Sequence, residues 1–277
     1  VIFKSSPMGT QSHGNAANNS FTLWAYGQRL LVRSGHYDSY ASKHHKGWVW
    51  STRSVNNITV NGRGQGKRTS KARGEIVAFK TTPSMDIVVG EAGSAYEIPL
   101  ERFTRTIIFV KPELVVVYDR LEAKEDSTFE YWLHAIKEIE VKGQHNIRVR
   151  NGDVVCDIDF LTPAGLTFKQ TNQYDPNPRE RVKRREWHLT AAITEKKKRM
   201  EFVTLYRPHR ASEHVPGEAR LKQVEGGYTL WVKLSDGEFE ALLPTDDQAE
   251  LTGFGLSSKG TIKVRLKRAG STEIIGL

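Results

Sequence analysis

Short strand-like segments recur at intervals of about ten residues along almost the whole chain, and this rhythm constrains the fold more than any other feature. Residues 128–134, 138–142, 146–150 and 154–161 illustrate it. No segment shows helical periodicity that is sustained beyond a turn or two. The pattern predicts an all-β protein, built as a large two-layer antiparallel β-sandwich that is followed by a smaller β-sheet region.

A polar interruption after residue 210 is the best candidate for a domain boundary. Residues 211–219 are polar, contain Pro216 and Gly217, and break the strand rhythm. We therefore expect the sandwich to occupy residues 1–211 and the small sheet to occupy residues 212–277. A chain of 277 residues can form a substantial core in either one large β domain or two smaller ones.

The net charge and the cysteine content limit the partners and the structural classes that are possible for this chain. The formal net charge of +9 favours polyanionic partners, which include nucleic acids, anionic membranes and acidic polysaccharides. No run of residues is long and apolar enough for a transmembrane helix. The single cysteine, Cys156, excludes an intrachain disulfide framework and a cysteine-rich zinc module. The chain begins at Val1 rather than Met, so we expect a processed or truncated piece.

Two features resemble nucleotide- or nucleic-acid-binding motifs but lack the residues that these motifs need. The glycine-rich turn at residues 62–67 has Asn61 where a P-loop needs glycine, and Arg68 where it needs Ser or Thr. The basic runs at residues 179–185 and 196–199 have no accompanying RNP aromatics or zinc-finger spacing. A solvated face is the favoured interpretation of these runs, with contact to an anionic sugar as the functional alternative. We expect neither a nucleic-acid nor a membrane partner.

Two polar segments near the N-terminus carry the candidate chemistry. The stretch at residues 12–21 places His13 and three asparagines just before an apolar strand, although an Asx-rich turn is the plain alternative. The loop at residues 35–48 contains three histidines, two tyrosines and Trp48, with hardly any aliphatic residue. Packing cannot explain such a loop, whereas Tyr and His exchange protons and Trp offers a face for sugar stacking. We therefore interpret this loop as functional.

Taken together, the first sixty residues resemble the C-terminal β-sandwich region of the heparinase II/III-like polysaccharide lyases, a family that includes alginate lyases. The pieces that carry the resemblance are Ser12-His13-Gly14-Asn15, Asn19, Phe21, Ala25-Tyr26-Gly27, Leu30-Leu31-Val32, Ser34-Gly35, Tyr40, His44-His45, Thr52-Arg53, Asn56 and Val60-Asn61-Gly62. Residues 103–105, 110–112 and 116–120 also look like the family's long strand pair. The match covers roughly half of the chain, and beyond residue 170 only general β character remains.

The resemblance implies β-elimination on a uronic-acid polymer such as alginate or a glycosaminoglycan. A base removes the C5 proton beside the carboxylate, an acid protonates the glycosidic oxygen that leaves C4, and an unsaturated sugar remains. Amide or imidazole donors have to neutralise the charge that builds up on the carboxylate, and a tyrosine base needs nearby cations. The resemblance also implies a bacterial, secreted or periplasmic protein with an upstream α/α toroid domain that completes the cleft. We expect little or no lyase activity without that domain, and the oligomeric state is left open.

On this resemblance, three residues are assigned to catalysis and six to substrate binding. His13 matches the family's sandwich-borne histidine and is expected to neutralise the uronate carboxylate or to assist proton transfer. Tyr40 and His44 lie in the loop where related lyases place a further tyrosine near the cleaved bond, with Tyr37 and His45 as fallbacks. The substrate-binding candidates are Asn15, Asn18, Tyr37, His45, Trp48 and Arg53.

The sequence departs from the family at the positions of a structural zinc site. Many members bind zinc through a His two residues after the catalytic His, an Asp before the Ser-Gly, and a His before the later Asn. Here these positions hold Asn15, Arg33 and Val55. Since valine cannot bind a metal, we expect no zinc at this place and no cofactor. Arg33 is expected to act there as a fixed cation or to pair with an acidic neighbour.

Two other classes of function stay open at this point. A carbohydrate-binding sandwich without catalysis would keep the basic face and Trp48, but it would not need His13. A structural β module that packs on another domain would bury the histidine-rich loop at that interface.

Overall fold

Antiparallel sheets make up nearly all of the regular structure, which confirms the predicted all-β class. The computed structural model describes residues 1–7, 14–36, 38–183 and 185–277. In chain order, the strands of these residues are β1 (Ile2–Lys4), β2 (Ser20–Ala25), β3 (Gln28–Leu31), β4 (Asn57–Val60), β5 (Glu75–Thr81), β6 (Met85–Glu91), β7 (Arg102–Val110), β8 (Leu114–Ser127), β9 (Phe129–Ala135), β10 (Glu140–Val141), β11 (Asn146–Asn151), β12 (Val154–Thr162), β13 (Thr167–Thr171), β14 (Trp187–Ala192), β15 (Lys197–Arg210), β16 (Ala219–Val224), β17 (Gly227–Lys233), β18 (Gly237–Pro244), β19 (Glu250–Gly253), β20 (Leu256–Lys259), β21 (Lys263–Arg268) and β22 (Ser271–Gly276).

Helical structure within the described residues is limited to single turns. A π-helical turn covers His45–Val49, and 3₁₀ turns cover Thr52–Ser54 and Gly93–Ala95. None of these is long and apolar enough to cross a membrane.

An eight-stranded antiparallel sheet forms the middle of the molecule, in the order β10-β11-β12-β15-β8-β7-β6-β5. Successive side chains of a strand point to opposite faces, so β8 serves two apolar cores at once. Val115 and Val117 enter the first core, whereas Val116 and Tyr118 enter the second. Burial on both faces explains why β8 begins with an unbroken apolar run instead of an alternating one.

Two smaller sheets cover the first face of the eight-stranded sheet. They have the orders β1-β2-β3 and β13-β14-β9-β4. Phe21, Ile58, Tyr131 and Leu189 are among the residues that they contribute to the first core. This pair of layers is the predicted sandwich, and the histidine-rich loop connects its strands β3 and β4.

A five-stranded sheet, in the order β16-β17-β18-β21-β22, covers the second face. Its Leu230, Phe239 and Val264 share the second core with Val116 and Val203 of the middle sheet. The smaller sheet expected near the C-terminus is therefore a third layer that packs on the sandwich. The boundary proposed at residue 211 stays a prediction.

A buried ion pair links the middle sheet to the layer above it. Arg105 Nε and Nη2 donate to the two carboxylate oxygens of Asp119 at 2.6 and 3.0 Å, and neither side chain is exposed. Arg105 Nη1 also donates to the main-chain oxygens of Asn19 (2.7 Å) and Asn56 (3.1 Å). One guanidinium thus ties β7 and β8 to the chain that enters β2 and β4.

Candidate functional site

The loop between β3 and β4 is shaped by hydrogen bonds around Ser42. The main-chain N–H of His45 donates to Ser42 Oγ at 3.1 Å, and that of Lys46 donates to the main-chain oxygen of Ser42 at 3.0 Å. Ser42 Oγ in turn donates to Asp38 Oδ1 at 2.6 Å. These bonds start the turn at His45–Val49, which directs His45 and Trp48 toward different neighbours.

Tyr40 is the exposed member of an aromatic cluster on this loop. Half of its surface is exposed (52%), and its ring makes edge contacts with His45 and Trp50, at centroid distances of 5.6 and 6.2 Å. His45 is buried, and its Nδ1 accepts the main-chain N–H of Ala41 at 3.0 Å. The guanidinium of Arg68 lies 4.5 Å from the centroid of the Trp50 ring. Tyr40, His45 and Arg68 therefore all surround the ring of Trp50.

The segment that follows His13 in the sequence lies against the same turn. The main-chain N–H of Ala16 donates to the main-chain oxygen of Trp50 at 3.0 Å. Arg33 Nη2 bridges Asn15 Oδ1 (3.2 Å) and the main-chain oxygen of Val49 (2.9 Å). Two polar segments that are separate in the sequence thus meet at one place on the surface.

His13 and Tyr37 both lie outside the described residues. Their assignments, to catalysis and to substrate binding, stay predictions. The structure describes the residues that follow them in the sequence, namely Gly14–Ala16 after His13 and Asp38–Tyr40 after Tyr37.

His44 is buried rather than presented to solvent. Its Nδ1–H donates to the main-chain oxygen of Pro176 at 2.8 Å, and its ring meets Tyr174 edge-on at 5.1 Å. Nε2 has no hydrogen-bond partner among the described residues. His44 thus attaches the loop to the segment around Pro176, whereas Tyr40 faces solvent. The catalytic assignment of His44 stays a prediction.

Asp38 anchors the base of the loop to the basic run that begins at Arg179. It accepts hydrogen bonds from Ser42 Oγ and from the main-chain N–H groups of Ser39 and Arg179. Burial alone would raise the pKa of Asp38, but these hydrogen bonds and the charge of Arg179 lower it to about 2. Arg179 and Arg181 also donate to the main-chain oxygen of Asp38, at 3.1 and 2.8 Å. Part of this basic run therefore holds the loop in place.

Glu186 supports the loop from the other side. Its Oε2 accepts the hydroxyl of Tyr174 at 2.6 Å and the main-chain N–H of Gly35 at 3.2 Å. Burial and the neighbouring Glu186 carboxylate raise the pKa of Tyr174 well above its ordinary value. Tyr174 therefore stays protonated and serves as a fixed donor.

Trp48 packs inside the loop instead of standing free as a stacking face. It is 2% exposed, its Nε1 donates to Ser34 Oγ at 3.1 Å, and its ring lies 4.6 Å from that of His188. The guanidinium of Arg53 lies 5.4 Å from the Trp48 ring and donates to the main-chain oxygen of Asp175 at 3.2 Å. Both residues border a groove on the outer face of the sheet β13-β14-β9-β4.

Asn18 is part of the framework. Its Oδ1 accepts the main-chain N–H of Ser6 at 3.0 Å, and its main-chain N–H donates to Gln65 Oε1 at 2.8 Å. Its main-chain oxygen accepts Gln65 Nε2 (2.7 Å) and Asn57 Nδ2 (2.8 Å). The side chain is buried and supports the surrounding segments, and the substrate-binding assignment of Asn18 stays a prediction.

Three ring side chains beside Trp48 were not singled out from the sequence. Trp132 and His134 lie on β9, and His188 lies on β14 opposite His134. All three occupy the face of the four-stranded sheet that points away from the core. A Trp and two His alternate along these strands with inward-facing Phe, Tyr, Leu and Ala residues. This was the available signal, and it becomes visible once the strand register is known.

The residues at the family's zinc positions do not fit a metal ion. Asn15 and Arg33 are hydrogen-bonded to each other, which places a guanidinium rather than a carboxylate there, and Val55 offers only an apolar side chain. Among the described residues, no group of three or more His, Cys, Asp or Glu side chains could hold a metal ion.

Solved polysaccharide lyases share this fold. Heparan sulfate lyase HepC from Pedobacter heparinus superposes with a TM-score of 0.67 at 14% sequence identity, over 99% of this chain and 38% of that chain. A heparinase III gene product superposes with a TM-score of 0.68 at 15% identity, again over 99% of this chain and 38% of that chain. This chain therefore spans less than two fifths of the length of these lyases.

The sequence itself determines the family. A search of curated proteins finds no match. The family described as "Heparinase II/III-like, C-terminal" matches residues 1–172, which is more than half of the chain. This stretch includes the polar segment after His13 and the whole histidine-rich loop. The chain therefore belongs to the heparinase II/III-like family, in which it represents the C-terminal region.

Proposed function

We propose that this chain is the β-sandwich part of a polysaccharide lyase that cleaves a uronic-acid-containing polysaccharide, such as alginate or a glycosaminoglycan, by β-elimination. One observation carries the proposal: the segment that follows His13 in the sequence lies against the turn beside Tyr40. Ala16 donates directly to the main-chain oxygen of Trp50, and Asn15 is linked through Arg33 to the main-chain oxygen of Val49. Membership of the family and the likeness in fold to a heparan sulfate lyase support it.

Each group has a proposed task in the elimination. The Tyr40 oxygen takes the C5 proton, the C5–H electrons form the C4=C5 bond, and the C4–O bond breaks as the Tyr40 hydroxyl passes that proton to the leaving oxygen. His13 neutralises the charge that develops on the uronate carboxylate, with the Asn15 amide beside it. Arg33 holds Asn15 in place and adds a positive charge at the site.

The surroundings of the site fit an acidic polymer. The net charge of +9 attracts polyanions over distances of about a Debye length, roughly 8 Å at physiological ionic strength. The greater length of the similar lyases supports an upstream α/α toroid domain that completes the cleft. A polymeric acidic substrate also fits a bacterial protein that is secreted or periplasmic, and both belong to the proposal.

The test uses the full-length protein with alginate, heparin and chondroitin, and it follows the ultraviolet absorbance of the unsaturated product. We expect His13→Ala and Tyr40→Phe each to lower turnover by about 10²–10⁴-fold, the range for loss of a proton-transfer or charge-stabilising group. Tyr26→Phe is the matched control, because Tyr26 is similarly exposed (49%) but lies in the β2–β3 hairpin. Absence of product from every uronic-acid polymer, at several pH values, would exclude the lyase.

A non-catalytic carbohydrate-binding module is the second candidate. The groove beside Trp48 and Arg53 favours it, because aromatic and cationic side chains line that groove. A binding module would retain oligosaccharide affinity after His13→Ala and would release no unsaturated product. A lyase would lose turnover in the same variant while it still binds.

A further inference from the structure

The outer face of the sheet β13-β14-β9-β4 carries side chains that differ from those of an ordinary solvated sheet. Tyr131, Leu133 and Leu189 point into the first core. The alternate positions form two rows that cross the strands on the opposite face. One row is Lys169, Thr190 and Trp132, and the other is Thr171, His188 and His134.

A groove of about 240 Å³ lies on this face. Pockets for drug-sized ligands begin at about 300 Å³, so the groove suits one ring-sized ligand rather than a large one. Trp48, Trp132 and His188 form its aromatic part, whereas Arg53, Lys169 and Asp175 bring the charges. Tyr40 and Asn15 do not line it. The groove is thus distinct from the surface proposed for proton transfer.

The aromatic part is held rigidly. Trp132 Nε1 donates to Thr59 Oγ1 at 2.8 Å, and Trp48 Nε1 donates to Ser34 Oγ. The rings of Trp48 and Trp132 meet edge-on at 6.1 Å. A ligand ring that packs on Trp132 therefore meets a surface that loses little conformational entropy on binding.

The charges at the rim favour an anion. Arg53 is held over Trp48, and its ion-pair partner Asp175 is 3.9 Å away with 89% of its side chain exposed. Such an exposed pair is weak, so an incoming anion can replace the carboxylate. Lys169 makes no ion pair within the described part of the chain. Two cations therefore face one displaceable carboxylate.

One polar atom near the groove also lacks a partner. His188 Nε2–H donates to the main-chain oxygen of Gln173 at 2.7 Å, which leaves the Nδ1 lone pair. Nδ1 is buried and has no hydrogen-bond partner among the described residues. A buried acceptor without a partner is costly, but this atom is closed to solvent, so the contacts proposed for the ligand do not include it.

We propose that this groove binds one anionic sugar unit of the polysaccharide, with its ring against Trp132 and its carboxylate or sulfate between Arg53 and Lys169. The inference rests on the proposed function for the identity of the ligand. The turn at His45–Val49 connects the two places, because His45 contacts Tyr40 at one side and Trp48 borders the groove at the other. A bound chain would then be held away from the cleaved bond as well as at it.

The test measures binding of saturated hexasaccharides of alginate, chondroitin and heparin to the 277-residue chain, by calorimetry, with a neutral cellulose oligosaccharide for comparison. We expect Lys169→Glu to weaken binding of the acidic hexasaccharides by about tenfold, and Trp132→Phe to weaken it by a similar factor. Lys222→Glu is the matched control, because Lys222 is also an exposed lysine on an edge strand, β16, and we expect less than a twofold change.

Each outcome decides a separate point. Three outcomes would overturn the proposal that the groove binds an anionic sugar. They are equal affinities of Lys169→Glu and Lys222→Glu, no binding of any acidic hexasaccharide by the unmodified chain, and equal binding of the neutral oligosaccharide. The lyase is judged independently by product absorbance from the full-length protein. If Lys169→Glu loses binding and the full-length protein shows no turnover, the groove is supported as a sugar-binding site and lyase activity is excluded.

Discussion

At the scale of single residues, His134 links the site to the stability of the fold. Its ring is fully buried, Nε2–H donates to the main-chain oxygen of Val55 at 3.1 Å, and Nδ1 has no partner among the described residues. Burial, helped by the nearby His188, lowers the pKa of His134 to about 3. The imidazole is therefore neutral in the folded protein wherever the site could work, and it acts as a fixed donor.

This lowered pKa predicts a loss of stability in acid. The unfolded chain binds a proton at His134 below about pH 6.5, but the folded chain does so only near pH 3. Between these values, the free energy of unfolding decreases by about 1.4 kcal/mol for each unit by which the pH is lowered. When the pH is lowered from 7 to 5, the free energy of unfolding of the unmodified protein should decrease by about 2 kcal/mol more than that of His134→Gln. Glutamine keeps a donor for the main-chain oxygen of Val55 but does not titrate. Urea unfolding at both pH values measures the difference, and equal losses would contradict it.

At the scale of elements, the position of Trp48 depends on Gly35. Gly35 has a φ of +90°, and a Cβ at this position would lie 2.6 Å from Trp48 Cδ1. Gly62 also has a positive φ, of +70°, but a Cβ there would meet nothing within 4 Å. Alanine substitutions at these two glycines therefore distinguish the cost of backbone strain alone from the added cost of a clash with the indole.

We expect Gly62→Ala to lower the free energy of unfolding by about 1–2 kcal/mol, which is the strain of a left-handed residue that carries a Cβ. Gly35→Ala should cost about 1–3 kcal/mol more, because the buried indole has to move. Urea unfolding gives both values, and near-ultraviolet circular dichroism reports the displacement of Trp48. If the two variants lose the same stability and keep the same spectrum, Gly35 does not position Trp48.

The strands could be predicted from the sequence because their signal is local. The run at residues 128–134 appears in the structure as β9 (Phe129–Ala135), and the long pair around Pro112 appears as β7 and β8. The burial of the asparagines could not be predicted in the same way. Asn19 Nδ2 donates to the main-chain oxygens of Gly90 and Phe103, and these residues are 71 and 84 positions away. Local composition cannot show whether an amide faces solvent or a distant strand.

The residues of the candidate site also differ in whether a local sequence signal could predict them. The loop was interpreted as functional from its composition, Tyr40 was assigned within it from the family resemblance, and the structure places Tyr40 on the surface. Trp132 and His188 were not predicted as site residues, because they come from strands that meet Trp48 only through the sheet register. A further difference concerns His44, since its burial depends on Pro176, which is 132 positions away.

At the scale of the whole molecule, the Arg105–Asp119 pair connects the layers. Although burial opposes its charge, the Asp119 carboxylate raises the pKa of Arg105 above its ordinary value, so the guanidinium stays charged. Its remaining bonds reach Asn19 and Asn56, and Asn56 in turn donates to the main-chain oxygens of Phe21 and Val32. The strands on either side of the histidine-rich loop are thus tied to the middle sheet through one buried cation.

Removal of the Asp119 charge should therefore destabilise the whole fold. We expect Asp119→Asn to lower the free energy of unfolding by about 3–5 kcal/mol, because it leaves the Arg105 charge buried and unpaired. Asp247→Asn is the control, since Asp247 pairs with Arg102 and Arg120 at the surface and should cost about 1 kcal/mol or less. Denaturant unfolding followed by Trp fluorescence measures both variants. Similar losses in the two would show that the buried pair does not hold the layers together, and the site would then depend on local packing alone.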